Sequence, residues 1–146
     1  MEPGAGDPVT VARALASALD ADDFDSVEAM LGDDVTYRIG DAVHHGPDAV
    51  VASYRNGSEL AQRIFERVAY SHEVIGLVGQ RTVRVDFADA LHAGGETLDH
   101  HSVQDVEVGR DGRIISIIDQ PVDGQQERVA DFLARHGLTR GGSSTS

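Results

Sequence analysis

RTVRVDFADALHAGGETLDHHSVQDVEVGRDGRIISIID, residues 81–119, decides the fold. Its β-rich runs at 81–92, 97–109 and 113–119 are broken only by Gly94-Gly95 and by Arg110-Asp111-Gly112, connections of hairpin length and composition. A run of the same character at 68–78 precedes them across Gly79-Gln80. Successive strands joined by tight turns predict an antiparallel meander. Strands of this length generally bend, so bulges are expected.

Upstream the pattern is helical. Asp7-Pro8 places an N-cap carboxylate before a proline in the first turn, and Val11, Leu15, Ala18 and Leu19 follow at helical spacing. A second, short helix is predicted from Asp22, burying Phe24, Val27 and Leu31 and stopping at Gly32. Val35, Tyr37 and Ile39 then alternate with Thr36 and Arg38 as a strand does. Gly46-Pro47-Asp48 opens a longer helix carrying Val50, Tyr54, Leu60 and Ile64, with a kink expected at Gly57-Ser58. Downstream of the strands, Asp123 with Gln126 reads as a capping box for a last helix. Its Val129, Phe132 and Leu133 face inward and Gly137 ends it. Helices first and hairpins afterwards is the α+β signature. A curved antiparallel sheet with helices packed on its concave side encloses a pocket.

A chain of 146 residues suffices for one domain. Residues 8–137 are expected to form it, with flexible tails at 1–7 and 138–146, the latter ending in GGSSTS. Acidic residues outnumber basic ones 25 to 12, and the net charge of −13 disfavours nucleic acid and anionic membrane as partners. No apolar run approaches the ~18 residues that a membrane span needs. The start MEPGAGDP lacks a signal peptide's basic and apolar regions, so a cytoplasmic protein is expected. Every basic residue is arginine and Asn56 is the only asparagine, which reads as the codon bias of a GC-rich bacterial source. Without lysine there is no Schiff-base chemistry. Without cysteine there is no disulfide, thiol catalysis or cysteine metal site. Phosphate-binding glycine motifs and a GxSxG elbow are also missing. Acid–base chemistry without a cofactor is the enzyme class that this inventory allows.

The candidate residues follow from strand periodicity. Asp119 succeeds Ile115 and Ile117 at period two and is expected on their buried face. A carboxylate at the mouth of an apolar cavity is desolvated and becomes a base suited to near-neutral pH. The alternative is an aspartate that ends its strand and caps the Gln120-Pro121 turn. Arg84 and Asp86 share one face of their strand, opposite Val83, Val85 and Phe87. They form either a solvated surface pair or, turned towards the pocket, a charged dyad. His100 and His101 point to opposite faces, His101 together with Asp99 and Val103, so one histidine is available for proton transfer in the pocket. Plain alternation with Val106 and Val108 favours His100, whereas a bulge near Gln104 favours His101. His44-His45 add two more imidazoles, but neither His-x-His nor HExxH spacing occurs and no metal site is expected. Tyr37 and Tyr54 read as amphipathic lining whose hydroxyls orient a ligand oxygen.

The element order resembles that of the nuclear transport factor 2-like superfamily over roughly residues 9–136. The stretches ALDADDFDSVEAMLGDDVTY, HHGPDAVVASY and GRDGRIISIID carry the resemblance. Within that superfamily the chain resembles the SnoaL-like polyketide cyclases, the ketosteroid-isomerase-like proteins and the limonene-epoxide-hydrolase-like proteins. The resemblance implies a cone-shaped α+β fold around an apolar cavity, no cofactor, and a homodimer through the open sheet face. A bulged strand is common in this fold, which turns the choice between the histidines to His101. The epoxide-hydrolase-like pattern implies that Arg84-Val85-Asp86 and Asp119 form a water-activating pair of carboxylates bridged by the arginine, with Tyr37 beside them. It departs at Ile39, where that family has an asparagine that holds the water. The resulting expectation is a cyclase or isomerase acting on an apolar, oxygenated, polyketide-like molecule. Asp119 is its base and His101 its proton shuttle. Tyr37 with Arg84 and Asp86 hold the developing oxyanion, and Tyr54, His100, Val103 and Ile117 contact the substrate. Epoxide opening and a non-catalytic binding or interaction module are the alternatives.

Overall fold

Asp7 caps the first helix as expected, its Oδ2 accepting from the backbone N–H of Thr10 at 3.0 Å and from the Thr10 hydroxyl at 2.8 Å. Those two bonds hold the Asp7 carboxyl below the usual carboxylate range. In the computed structural model, which describes residues 7–138, the elements are α1 Pro8–Asp20, α2 Phe24–Met30, β1 Leu31–Ile39, β2 Ala42–His45, α3 Pro47–Ile64, β3 Arg67–Leu77, β4 Thr82–Ala93, β5 Glu96–Val108, β6 Ile114–Gln120 and α4 Gln125–Arg135. The tails expected at 1–7 and 138–146 lie outside the described residues except for Asp7 and Leu138. Both of these are engaged: Leu138 donates its N–H to the Leu133 carbonyl at 2.8 Å.

The six strands form one curved, unclosed sheet in the order β2-β1-β6-β5-β4-β3. The expected meander is present as β3 to β6, with antiparallel pairing throughout. The sheet is not purely antiparallel, because β1 inserts beside β6 in parallel, matching Tyr37 to Ile117 and Arg38 to Ile118. Four local expectations change. The second helix stops at Met30, and Leu31, only 2% exposed, already belongs to β1. The loop holding His44-His45 is a short edge strand paired to β1. Helix α3 runs unbroken through Gly57-Ser58, since the Ser58 hydroxyl bonds Asp22 and leaves its own helix's carbonyls alone. The last helix is capped by Gly124 in the left-handed region (φ +74), with no side-chain cap, so the Asp123 capping box does not form.

Two groups of buried side chains hold the layers together. The larger joins α1, α2 and α3 to the sheet through Leu15, Val27, Val50, Val85, Val106 and Ile117, all at 0% exposure. The smaller sits under α4 and consists of Phe65, Leu91, Ala93, Phe132 and Leu133. Transfer of each such side chain from water contributes about 1.5–3 kcal/mol. The helices pack on one face of the sheet, and the gap where the two groups fail to meet is the cavity.

Candidate functional site

The cavity has a volume of about 780 Å³ and draws its lining from both groups and from α3, including Tyr37, Leu60, Phe65, Phe87 and Leu91. Strand alternation determines which polar residues reach it. The β4–β5 pairing is unbroken from Thr82↔Glu107 to Ala93↔Glu96, so no bulge occurs near Gln104. The inward set is therefore Val83, Val85, Phe87, Asp89 and Leu91 on β4, and His100, Ser102, Gln104 and Val106 on β5. On β6 a register shift opposite Glu107/Val108 separates Ile114 from Ser116. Asp119 thus shares its face with Ile117, whereas Ile115 is 42% exposed and Ile114 takes the buried place expected of it.

At one end of the cavity lies a tight polar cluster. Gln104, 4% exposed, donates from Nε2 to the Tyr37 hydroxyl at 2.7 Å and accepts at Oε1 from the Tyr54 hydroxyl at 2.8 Å. The two phenol rings stack with centroids 4.8 Å apart. Burial pushes both phenols well above their ordinary range, and the Asp119 charge adds to the effect, so both stay protonated as donors. Asp119 completes the cluster. Desolvation raises its carboxyl above the usual value, opposed by a hydrogen bond from Gln104 and by the charge of His100. His100 in turn places Nδ1 3.5 Å from Asp89 Oδ2, within ion-pair distance. Asp119, Gln104, His100 and the two tyrosines all line the cavity.

The remaining sequence candidates fall elsewhere. Arg84 and Asp86 do not line the cavity. Arg84 makes a two-pronged bond to Asp105, Nε to Oδ1 at 2.8 Å and Nη2 to Oδ2 at 3.0 Å, on the face of the sheet away from the helices. Asp86 Oδ1 holds the His101 ring at 2.9 Å on that same outer face, although the His101 backbone touches the cavity rim through Gln125. Val103 points outward with them, and Ile117 is buried beneath the cavity without lining it. The arginine-bridged pair of carboxylates is therefore not assembled. The inward carboxylates of β4 and β6 are Asp89 and Asp119, and the side chain two residues before Asp89 is Phe87. Reasoning from sequence passed over Gln104 and Asp89, although each stands at period two from residues of the buried face. It also passed over Asp22, Ser58 and Tyr70, which line the other end of the cavity. Among the described residues no group of three His, Cys, Asp or Glu side chains is placed to hold a metal ion, and no helix is long and apolar enough to cross a membrane.

No family model matches the chain, and no curated protein matches it. Solved structures do. An LEH-like epoxide hydrolase from M. tuberculosis is similar over 91% of this chain and 99% of its own, at 23% identity and a TM-score of 0.61. RV0760c from Mycobacterium tuberculosis, in complex with estradiol-17beta-hemisuccinate, is similar over 82% of this chain and 97% of its own, at 18% identity and a TM-score of 0.61. SalBIII, an epoxide hydrolase/cyclase-like enzyme with a role in pyran ring formation in the polyether salinomycin, is similar over 81% and 92%, at 13% identity and a TM-score of 0.63. Putative polyketide cyclases and NTF2-like proteins of unknown function are among the others. The fold is the NTF2-like one.

Proposed function

We propose that this protein is a cofactor-independent acid–base enzyme for an apolar, oxygenated small molecule, catalysing a cyclisation or isomerisation of the polyketide-like kind. The observation that carries the reading is the cluster of Asp119, Gln104, Tyr37 and Tyr54 in a cavity that also presents Leu60, Phe65, Phe87 and Leu91. Asp119, with its carboxyl held up by burial, takes a proton from the substrate carbon or hydroxyl. The oxyanion that develops is met by the Tyr37 hydroxyl, whose oxygen is already fixed by Gln104 and whose proton is left to donate. Asp119 then delivers that proton to the new position, and His100, 3.5 Å from Asp89, stands beside it as a second proton-transfer group. RV0760c with its steroid ligand supports the size and apolarity of the substrate.

Epoxide opening is the second reading, favoured by the likeness to the LEH-like hydrolase and to SalBIII. Arg84 lies outside the cavity, which weighs for cyclisation or isomerisation over hydrolysis by an arginine-bridged pair. A second copy of this chain would pair on the outer face of the sheet, where Ile118 is 39% exposed.

The test is turnover of a panel of β,γ-unsaturated ketones and epoxides by the wild-type chain and by Asp119→Asn. At least one panel member should be converted, and the variant should lose about 10²-fold or more in rate while keeping its melting temperature. Conversion that survives in Asp119→Asn, or tight binding without conversion across the whole panel, overturns the reading.

A further inference from the structure

The opposite end of the cavity carries a second polar cluster that the acid–base reading does not use. Helix α1 ends in a Schellman motif: the Asp23 N–H reaches the Ala18 carbonyl at 2.9 Å and the Asp22 N–H reaches that of Leu19 at 3.1 Å. The residue in the left-handed position of this motif is ordinarily glycine, because any Cβ there is strained. Here it is Asp22, at φ +54, the one non-glycine residue with positive φ among the described residues. Its side chain is fully engaged. The carboxylate accepts from Ser58 Oγ at 2.9 and 3.1 Å and from Gln62 Nε2 at 3.0 Å, and Ser58 Oγ lies 2.9 Å from the Tyr70 hydroxyl. Asp22, Ser58 and Tyr70 line the cavity.

The direction of these bonds follows from proton counting. An ionised carboxylate only accepts, so Ser58 spends its single hydrogen on Asp22. Tyr70 must then donate to Ser58, and Gln62 Nε2, 3.2 Å from the same oxygen, donates there too. The Tyr70 oxygen is left with lone pairs and no hydrogen to offer the cavity. At the other end the situation is reversed: Gln104 occupies the Tyr37 oxygen as a donor, so Tyr37 presents a hydrogen. The cavity thus has a donating end and an accepting end.

Their separation follows from the scaffold. Tyr54 and Ser58 stand one helical turn apart on α3. Tyr70 pairs across the sheet with Asp89, and Asp89 with His100, which puts Tyr70 two strands, about 10 Å, from the His100 position. The cavity lining between sheet and helices includes the apolar Phe24, Leu60, Phe87 and Leu91, with Asp89 between Tyr70 and His100 on the sheet. We infer that Asp22, Ser58 and Tyr70 form a distal binding site for a hydroxyl group, and that the substrate is a rigid, apolar hydroxy ketone. Its reacting carbonyl meets Tyr37 and its hydroxyl donates to Tyr70. The inference rests on the acid–base reading for the carbonyl end only. Asp22 acts as a positioning residue: it holds Ser58 so that Tyr70 keeps its accepting orientation. An aspartate where glycine fits better is consistent with such a role.

The test uses testosterone, with a ketone at one end and a hydroxyl at the other, against androstenedione, with a ketone at both. Dissociation constants are measured for the full chain and for Tyr70→Phe, Asp22→Asn and Asp22→Gly. The wild type should prefer testosterone by about tenfold, the difference one oriented hydrogen bond to a fixed acceptor makes. Each variant should bring the ratio near one with little change for androstenedione. Asp22→Gly should do so while melting within a few degrees of wild type, because relief of backbone strain offsets the lost side-chain bonds. A purely structural clamp would instead lower its melting temperature and weaken both steroids equally. Equal binding by the wild type, a ratio that survives in Tyr70→Phe, or binding of neither steroid overturns the inference. Asp119→Asn should leave the ratio unchanged. Turnover that survives in Asp119→Asn with the ratio intact would overturn the catalytic reading and leave the distal site standing.

Discussion

Replacing Gln104 by leucine removes the amide that joins both tyrosines to Asp119. Leucine nearly conserves the volume, so the change is one of hydrogen bonding. The side chain is 4% exposed and serves the Tyr37 and Tyr54 hydroxyls at 2.7 and 2.8 Å. A buried polar group left without its partner costs about 1–3 kcal/mol, so two such groups should lower the stability of Gln104→Leu by about 3 kcal/mol in all. For a chain of this length that corresponds to about 10 °C in melting temperature. The same reasoning demands a recovery. When Tyr37→Phe and Tyr54→Phe are added, no hydroxyl remains to be satisfied, and the triple variant should return to within about 1 kcal/mol of wild type. Asp119 gives an independent readout. Gln104 donates to its carboxylate and so favours the ionised form; without it the titration of Asp119, followed by NMR, should move further upward. Urea melts of the single and triple variants would refute the argument in either of two ways: a single variant as stable as wild type, or a triple variant that recovers nothing.

Other outcomes follow from the same structure. The raised carboxyl of Asp119 means that the folded state holds this proton more tightly than the unfolded chain does. Its contribution to stability is therefore full below the ordinary carboxylate value and is lost as pH rises through the folded-state value; at pH 7, Asp119→Asn should melt no lower than wild type, and its stability should vary less with pH across that window. Arg84→Met should change the melting temperature little, because the Arg84 side chain is 40% exposed on the outer face of the sheet. It should leave ligand affinity unchanged, and a loss of affinity in titration would return Arg84 to the site. Gly94→Ala puts a Cβ 2.7 Å from His136 Nδ1 at a residue with φ +55. His136 cannot easily retreat, being held by Glu96 at 2.7 Å and packed on Phe132, so a loss of about 1–3 kcal/mol is expected in chemical denaturation.

Much of the architecture was legible because it rests on local signals. The meander's turns carry Gly94-Gly95 and Asp111-Gly112, the first helix carries its Asp7 cap, and period two along 81–92 separates the valines from Arg84 and Asp86. The parallel neighbour of β6 was not legible, since nothing in Leu31–Ile39 says which distant strand it joins. The site was legible in part. Asp119, Tyr37 and Tyr54 could be found from periodicity and amphipathic character. His101 and the Arg84/Asp86 dyad were drawn from the resemblance, and simple alternation, which pointed to His100, described the strand better because β5 has no bulge near Gln104. Gln104 has only its period-two place on the buried face to mark it, and Ser58 has no sequence signature. Their roles exist only through partners 67 and 36 positions away.

The parallel pairing of β1 with β6 has a consequence for the order of assembly. The meander and the α1–α2 pair are built from near neighbours in the chain, whereas β1 can dock only after β6 has been synthesised, closing a loop of most of the domain. Tyr37 enters the polar cluster on β1 and Asp119 on β6, so the donating end of the cavity comes into being with that last closure. Chains stalled before it would carry most of their strands and helices yet have no oxyanion donor. Ligand affinity is then a sharper gauge of complete folding than secondary structure, and weakening the β1–β6 seam should empty the cavity well before it unfolds the sheet.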